Sequence, residues 1–228
     1  MTQLILASLA FVGTHMLMSH GSIRRALVAK LGLWPHRGLY SVISFATFGW
    51  MIWAYIEAPD DILFLPHMAL RHLPMTVMLF ACFFLVSGYT IINPSALGME
   101  GRGKSGEIPG ILKITRAPIM WGVGLFAFSH MLVGGDIASL VFFGSLIILA
   151  IGGGWHLDQR KTDEASPEWL GLREQSSFIP FVALFSGRAR LRVGELSWWR
   201  LVLTVGLYAG LMAMHSAAFG VSPMPLPS

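Results

Sequence analysis

The chain has 228 residues, of which 54% are hydrophobic and only 12% are charged. Soluble domains carry about 25% charged residues, so this composition excludes an ordinary soluble protein and is typical of a polytopic membrane protein. The net charge of +4 is small, and the basic residues lie between apolar segments. Membrane topology therefore explains them better than nucleic-acid binding does. A single cysteine, Cys82, excludes a disulfide framework, and we interpret it as a small buried hydrophobic residue.

Six apolar segments are long enough, or nearly so, to cross a bilayer, which takes about 20 residues. We predict an all-α fold in which six transmembrane helices form one bundle and a single domain spans 1–228. The first segment lacks the charged start and cleavage site of a secretory signal, so we expect it to be retained. The predicted spans are approximately 3–23, 38–56, 72–92, 117–135, 137–157 and 200–219.

The boundaries of these spans carry their own signals. The third span is predicted to end near Asn93-Pro94, because proline cannot continue a helix and restricts the residue before it. Between the fourth and fifth spans, Gly134-Gly135 and Asp136 predict a tight turn, with Asp136 as the N-cap of the following helix. We interpret the glycines at 152–154 as sites of close helix packing and those at 101–106 as part of a flexible loop.

The basic residues predict the orientation of the bundle. Fifteen of the sixteen lie in or beside loops one, three and five, and the positive-inside rule places those loops in the cytoplasm. Both termini would then face outward, to the periplasm if the membrane is a bacterial inner membrane. The longest cytoplasmic loop, 158–199, contains an apolar stretch at 178–185 that is too short to span, so we expect it at the membrane surface. Trp198 and Trp199 lie where an aromatic belt is expected.

The eight histidines divide by predicted depth. His36 and His67 lie in loops and are expected to be solvated, whereas His20, His72 and His156 fall at headgroup depth. His15, His130 and His215 lie deeper. With a rise of about 1.5 Å per residue, His15 is about 4 Å from the midplane on the cytoplasmic side. His130 and His215 are about 6 Å and about 7 Å from it on the outer side.

The three deep histidines have two explanations. Each ring could hydrogen-bond a neighbouring helix, as polar side chains in membranes do. Alternatively, two of them could ligate one metal centre. Deep carboxylates and a cysteine pair are absent from the sequence, so a haem b fits better than a di-iron or iron–sulfur site. Its propionates would need cations such as Arg24, Arg25 or Arg116. Depth favours the pair His130 and His215, although helix tilt is large enough that depth alone does not decide.

Several segments in a fixed order resemble the NnrU family of bacterial membrane proteins, which is similar to the plant and cyanobacterial 15-cis-ζ-carotene isomerases. The resemblance rests on residues 15–32 (HMLMSHGSIRRALVAKLG) and 37–45 (RGLYSVISF), and then on Asn93-Pro94. It continues through 114–122 (ITRAPIMWG), 126–130 (FAFSH), 178–181 (FIPF), Gly187-Arg188 and 215–223 (HSAAFGVSP).

The resemblance implies a haem b with histidine axial ligands, and the matching positions are His15 and His130. The family usually has Arg-His-Pro where this chain has Arg116-Ala117-Pro118, so a role that depends on that histidine cannot operate here. The sequence identifies no catalytic residue.

Three functions remain open at this stage. The resemblance implies a haem protein linked to redox or nitrogen-oxide metabolism, as in denitrification. A second is an isomerase that acts on a cis double bond of a membrane-soluble polyene such as ζ-carotene, through redox-switched haem ligation. A third is a cofactor-free assembly factor for a respiratory complex. In each case the partners are membrane lipid and, for the isomerase, a hydrophobic small molecule.

Overall fold

The computed structural model describes residues 1–59, 61–65, 68–92 and 108–224. These residues are helical apart from short connections, and the one β pairing among them is an isolated bridge between Ile62 and Asp136. The all-α prediction is therefore confirmed. The long helices are α1 (Thr2–Ser19), α2 (Gly21–Leu31), α3 (Leu33–Ile56), α4 (Met68–Tyr89), α6 (Pro118–Gly134), α7 (Ile137–Ile147), α8 (Gly154–Glu164) and α11 (Trp198–Phe219). The short ones are α5 (Gly110–Ile114), α9 (Pro167–Glu174), α10 (Val182–Phe185), a π-helical turn (Ile148–Gly153) and a 3₁₀ turn (Val193–Leu196).

Five helical stretches of the described residues are long and apolar enough to cross a membrane, which indicates a multi-pass membrane protein. They are Thr2–Ser19, Leu33–Ile56, His72–Tyr89, Ile137–Glu164 and Trp198–Phe219. The predicted fourth span corresponds to α6, which is apolar but has 17 residues. That length is about 25 Å, against a hydrocarbon core of about 30 Å. The count of six spans, the outward termini and the bacterial inner membrane stay predictions.

The first loop is helical, which corrects one prediction about the histidines. The connection between the first two spans folds as α2, and α3 begins at Leu33 rather than near residue 38. His36 thus lies in the first turn of α3 with 5% of its surface exposed, whereas the sequence predicted a solvated side chain. His67 lies outside the described residues.

The core of the bundle forms where α1, α3, α6 and α7 meet. Side chains there are fully or almost fully buried: Leu4, Ala7, Phe11, Met51, Ala54, Ala127, Phe142 and Leu146. Helices α4 and α6 approach so closely that a Cβ on Gly122 would lie 2.7 Å from the Leu85 side chain and 3.1 Å from its backbone nitrogen. Cys82 is buried, as predicted. Gly154 also contacts its neighbours closely, with Met120 Cγ 3.0 Å from a Cβ built there.

The turn between α6 and α7 has the predicted structure. Gly135 adopts a positive φ of 69°, and Asp136 caps α7 by accepting hydrogen bonds from the Ser139 backbone N–H and hydroxyl, both at 2.7 Å. The chain after α3 pairs with this turn, because the Leu63 N–H donates to the Gly135 carbonyl at 2.8 Å. The segments predicted at Asn93-Pro94 and 101–106 lie outside the described residues.

Residues 154–196 form a polar cap against the ends of α4 and α6. Its apolar stretch at 178–185 contains the short helix α10 and divides into two faces. Phe178 is buried, and its carbonyl accepts from the Thr115 hydroxyl at 2.6 Å and from Trp121 Nε1 at 2.8 Å. Phe185 is 88% exposed. The segment is too short to span a bilayer, and its position at the membrane surface stays a prediction.

Candidate histidine site between the transmembrane helices

Each deep histidine donates a hydrogen bond from Nδ1 to a backbone carbonyl. In α1 and α6 the acceptor lies one turn earlier in the same helix: Phe11 for His15 at 2.7 Å and Phe126 for His130 at 2.9 Å. His215, near the end of α11, donates to the Val221 carbonyl at 2.8 Å. Val221 is within reach because Gly220 ends α11 with a φ of 71° and turns the chain back.

These bonds fix the tautomer of all three rings. A carbonyl oxygen can only accept, so Nδ1 must carry the hydrogen. In a neutral imidazole the lone pair is then on Nε2. Metal-bound histidines have this arrangement, in which the second ring nitrogen donates to a carbonyl or carboxylate and orients the ligand. In this tautomer Nε2 is the ring nitrogen through which a metal would bind.

The structure brings two of the three rings together. His130 and His215 have ring centroids 6.4 Å apart and ring planes that differ by 26°. Two imidazoles that bind one metal from opposite sides have centroids about 6 Å apart, because each metal–nitrogen bond is about 2.0–2.1 Å. The centroid separation of the stacked rings is close to that distance.

His15 lies in different surroundings. Its ring contacts Phe11 and Tyr40, with centroids 4.4 Å and 5.3 Å away. A series of ring contacts runs from His15 through Phe11, Phe48, Phe142 and Phe143 to His130. The pair of His15 and His130 implied by the family resemblance remains a prediction, and the ring contact that the structure shows is the one between His130 and His215.

The walls around the histidine pair are aromatic. Phe126 and Phe143 lie 4.3 Å and 5.2 Å from the His130 ring, and Phe219 lies 5.0 Å from the His215 ring. Among the described residues, no three His, Cys, Asp or Glu side chains come together in a group that could hold a metal ion. A metal at this pair would need further ligands of its own, and the ring nitrogens of a porphyrin are such ligands. Imidazole is an axial ligand that haem iron takes, and a haem at this pair stays a prediction.

Arg116 and Arg24, two of the arginines expected near the haem propionates, differ in their surroundings. Arg116 is 6% exposed and forms a two-pronged ion pair with Asp158, in which the guanidinium Nη2 lies 2.7 Å from Oδ2 and Nε bonds Oδ1. A propionate would compete with that carboxylate. Arg24 is half-buried on α2, and the role of either residue at a cofactor stays a prediction.

The sequence did not identify several residues around the rings. Phe143 and Phe219, which contact the rings of His130 and His215, were not singled out. The Val221 carbonyl, which orients His215, gave no signal because a backbone acceptor is not encoded by residue type. The Gly220 position was visible as a helix-ending glycine. That signal could have placed the backward turn beside His215.

The fold and this pair define a class: a multi-pass helical membrane protein with two histidines in contact in an aromatic setting. The model of the NnrU protein family matches residues 3–223, and the chain belongs to that family. It is 31% identical over 118 residues to the chloroplastic 15-cis-zeta-carotene isomerase of Arabidopsis thaliana. It is 27% identical over 117 residues to the isomerase of the same name from Zea mays. Each match covers 48% of this chain and 32% of the relative, so the chain spans about a third of the length of these curated relatives. No solved structure matches.

Proposed function

We propose that this protein isomerises a cis double bond in a membrane-soluble polyene such as ζ-carotene, with a haem b held by histidine. The observation that carries the proposal is the contact between His130 and His215, both with Nε2 available, in a chain similar to ζ-carotene isomerases. This similarity supports the isomerase more than the redox or nitrogen-oxide role that the sequence first favoured. It also favours an enzyme over the cofactor-free assembly factor.

Several features suit an apolar polyene as the substrate. The protein exposes long apolar helix faces, and α11 in particular has most of its surface uncovered, including Val202, Val205 and Met214. A lipid-dissolved substrate would reach the bundle laterally from the bilayer. Phe126, Phe143 and Phe219 would pack against a conjugated chain and exclude water from the reacting bond.

The protein's part in the reaction is to hold and orient. When bound, haem b supplies an iron whose ligation by histidine can change with redox state. His130 and His215 would be its ligands, and their Nδ1 hydrogen bonds to the Phe126 and Val221 carbonyls would hold each ring in the tautomer whose Nε2 can bind a metal. His15 is the alternative partner of His130 that the family resemblance implies.

The test uses a bacterial host that makes 15-cis-ζ-carotene, in which the full chain is expressed and the isomers are separated by chromatography. We expect wild-type protein to lower the proportion of the 15-cis isomer and His130→Ala to abolish the change. The control is His72→Ala, because His72 is exposed on α4. An unchanged isomer ratio with folded wild-type protein would overturn the isomerase proposal.

An absorption spectrum of the purified protein separates the remaining functions. A Soret band after haem-supplemented expression is expected for the haem-dependent isomerase. A Soret band without isomerisation, shifted by nitric oxide, would favour the redox or nitrogen-oxide role. If His130→Ala lowers stability and wild-type protein has no Soret band, the assembly factor is the better explanation.

A further inference from the structure

The polar cap carries an exposed surface that combines apolar and basic side chains. On α10, Val182 is 41% exposed and Phe185 is 88% exposed. Arg190 and Arg192 follow in the chain, and both are exposed. Arg188, between them and α10, donates to two backbone carbonyls of the cap and holds the chain in place. We call Val182, Phe185, Arg190 and Arg192 the apolar–basic patch, which contains neither the histidine pair nor its aromatic walls.

The fold presents the two arginines of the patch to the outside. The Ala189 N–H donates to the carbonyl of buried Ala183 at 3.0 Å, which fixes the chain after α10 against the cap. From there the backbone becomes extended, with a φ of −99° and a ψ of 134° at Arg192. Side chains of an extended chain alternate between two faces, and Leu191 packs against the buried core around α5 and α9. Arg190 and Arg192 therefore point away from that core.

Two attachments place the patch at the level where apolar helices begin. The Phe181 N–H donates to the Ile114 carbonyl at 2.8 Å, and the apolar helix α6 begins shortly afterwards, at Pro118. On the other side, the 3₁₀ turn Val193–Leu196 leads into the apolar helix α11 at Trp198. Membrane-spanning helices enter the hydrocarbon core near their ends, and tryptophan is enriched at that boundary. The patch therefore lies at the depth of the lipid headgroups.

The basic half of the patch has no negative partner in the described part of the chain. Residues 175–194 contain three arginines and no acidic residue. Within the described residues, Arg190 and Arg192 form no ion pair. Glu195, the next acidic residue along the chain, is already paired with Lys113, whose Nζ lies 2.7 Å from Oε2. The patch thus presents positive charge to its surroundings.

Exposed apolar side chains beside uncompensated positive charge fit a partner that is both apolar and negatively charged. At headgroup depth an anionic phospholipid leaflet has this composition, because its acyl chains lie directly beneath its phosphates. Charge complementarity and the continuity of the patch with α11 therefore favour lipid over a second protein. We propose that the apolar–basic patch docks on anionic phospholipids of the membrane that the protein crosses. Phe185 lies among the acyl chains, and Arg190 and Arg192 lie at the phosphates.

The test measures how deeply position 185 lies in a membrane of known composition. The full-length chain with Cys82→Ala and Phe185→Cys carries a nitroxide label and is reconstituted into vesicles of phosphatidylcholine, with or without phosphatidylglycerol. Electron paramagnetic resonance compares the accessibility of the label to oxygen, which partitions into lipid, with its accessibility to a water-soluble nickel chelate. We expect the ratio of the two to rise about fivefold or more when phosphatidylglycerol is present, since each arginine at an anionic surface contributes about that factor.

A label at Asp163→Cys is the control for depth. The apolar stretch Ile137–Glu164 has 28 residues and is about 42 Å long, which exceeds the hydrocarbon core of about 30 Å. Asp163 is exposed at its end, so a label there should stay accessible to the nickel chelate in both kinds of vesicle. A label at 185 that is as accessible to the chelate as the label at 163 would overturn the proposal and leave a protein as the partner of the patch. Equal immersion at 185 with and without phosphatidylglycerol would also overturn it, because the arginines would then contribute nothing.

Arg190→Gln tests the basic half of the patch, and Arg173→Gln is its control. Both arginines are exposed on the polar cap, but Arg173 lies on α9, outside the stretch that lacks acidic residues. We expect Arg190→Gln to lower the immersion ratio at 185 about fivefold in vesicles with phosphatidylglycerol and to leave it unchanged in phosphatidylcholine alone. Arg173→Gln should change it less than about twofold. Equal losses from the two variants would mean that general surface charge is responsible, and the proposal would fail. Neither measurement involves haem or isomerisation, so the result is independent of the proposed function.

Discussion

The two histidine groups of this bundle have opposite surroundings. At His130 and His215 each Nδ1 donates to a carbonyl and the neighbours are aromatic rings. At His36 and His156, by contrast, neither Nδ1 has a hydrogen-bond partner among the described residues, and the neighbours include arginines. Phe143 contacts His130, and His156 lies 13 residues further along the helical stretch that begins with α7. At about 1.5 Å per residue, the two histidine groups are about 20 Å apart.

This difference teaches that residue type alone does not assign a histidine. A ring whose tautomer is fixed by a carbonyl, in an apolar setting, offers a lone pair to a metal. The same side chain therefore has aromatic neighbours at one end of the bundle and positively charged neighbours at the other.

The largest effect is expected from the buried ion pair that joins α8 to the start of α6. Asp158 binds Arg116, which connects α8 with the start of α6, and both side chains are buried. Asp158→Ala leaves a buried guanidinium without its carboxylate and should destabilise the protein by about 3–5 kcal/mol. Thermal unfolding in detergent would measure the loss.

Glu164→Ala is the matched control for that variant. It removes a carboxylate from the same helix, but Glu164 is half-exposed and lies 3.9 Å from Arg160, so its loss should cost less than about 1 kcal/mol. Equal destabilisation by the two variants would mean that the buried pair does not anchor the cap.

The next largest effect separates the two candidate ligand pairs. His130→Ala removes a ligand in either pair and should lower isomerase activity about 100-fold or more, with loss of the Soret band of the wild-type protein. Since the His215 ring is the one in contact with His130, we expect His215→Ala to alter the spectrum as strongly. His15→Ala should leave the band in place.

The opposite pattern is equally informative. A Soret band that survives His215→Ala but is lost in His15→Ala would restore the pair implied by the family resemblance. It would also require α1 and α6 to approach each other more closely around the cofactor than the ring contacts of His15 show.

Much of the fold was predictable from residue patterns. The length of the apolar segments predicted the helical spans. Gly134-Gly135-Asp136 predicted the turn after α6 and the N-cap of α7. These features depend on local chemistry. The burial of His36 was not predictable, since it depends on α2 folding as a helix between two spans. The contact of His130 with His215 was foreseen only as a match in depth. Which faces of α6 and α11 meet is a matter of long-range packing that periodicity does not encode.

A moderate effect is expected at the N-cap of α7. Asp136 accepts two hydrogen bonds from Ser139, so Asp136→Ala should cost about 1–2 kcal/mol. Asp136→Asn keeps a capping oxygen and should lose only a few tenths of that amount. Thermal unfolding distinguishes them, and identical losses would show that the charge rather than the cap stabilises the turn.

The smallest effect tests whether the backbone orients the His215 ring. Gly220 has a φ of 71°, and a Cβ there would meet nothing within 4 Å, so Gly220→Ala adds backbone strain without a steric clash. We expect a loss of about 1 kcal/mol and a weakened Soret band, because the Val221 carbonyl that fixes Nδ1 of His215 would shift. Gly210→Ala is the control: it lies in the middle of α11, is equally unobstructed, and should stabilise the helix by up to about 1 kcal/mol. A Soret band that responds equally to both substitutions would mean that the Val221 carbonyl does not orient the His215 ring. The difference between the two histidine groups would then depend only on their charged and aromatic neighbours.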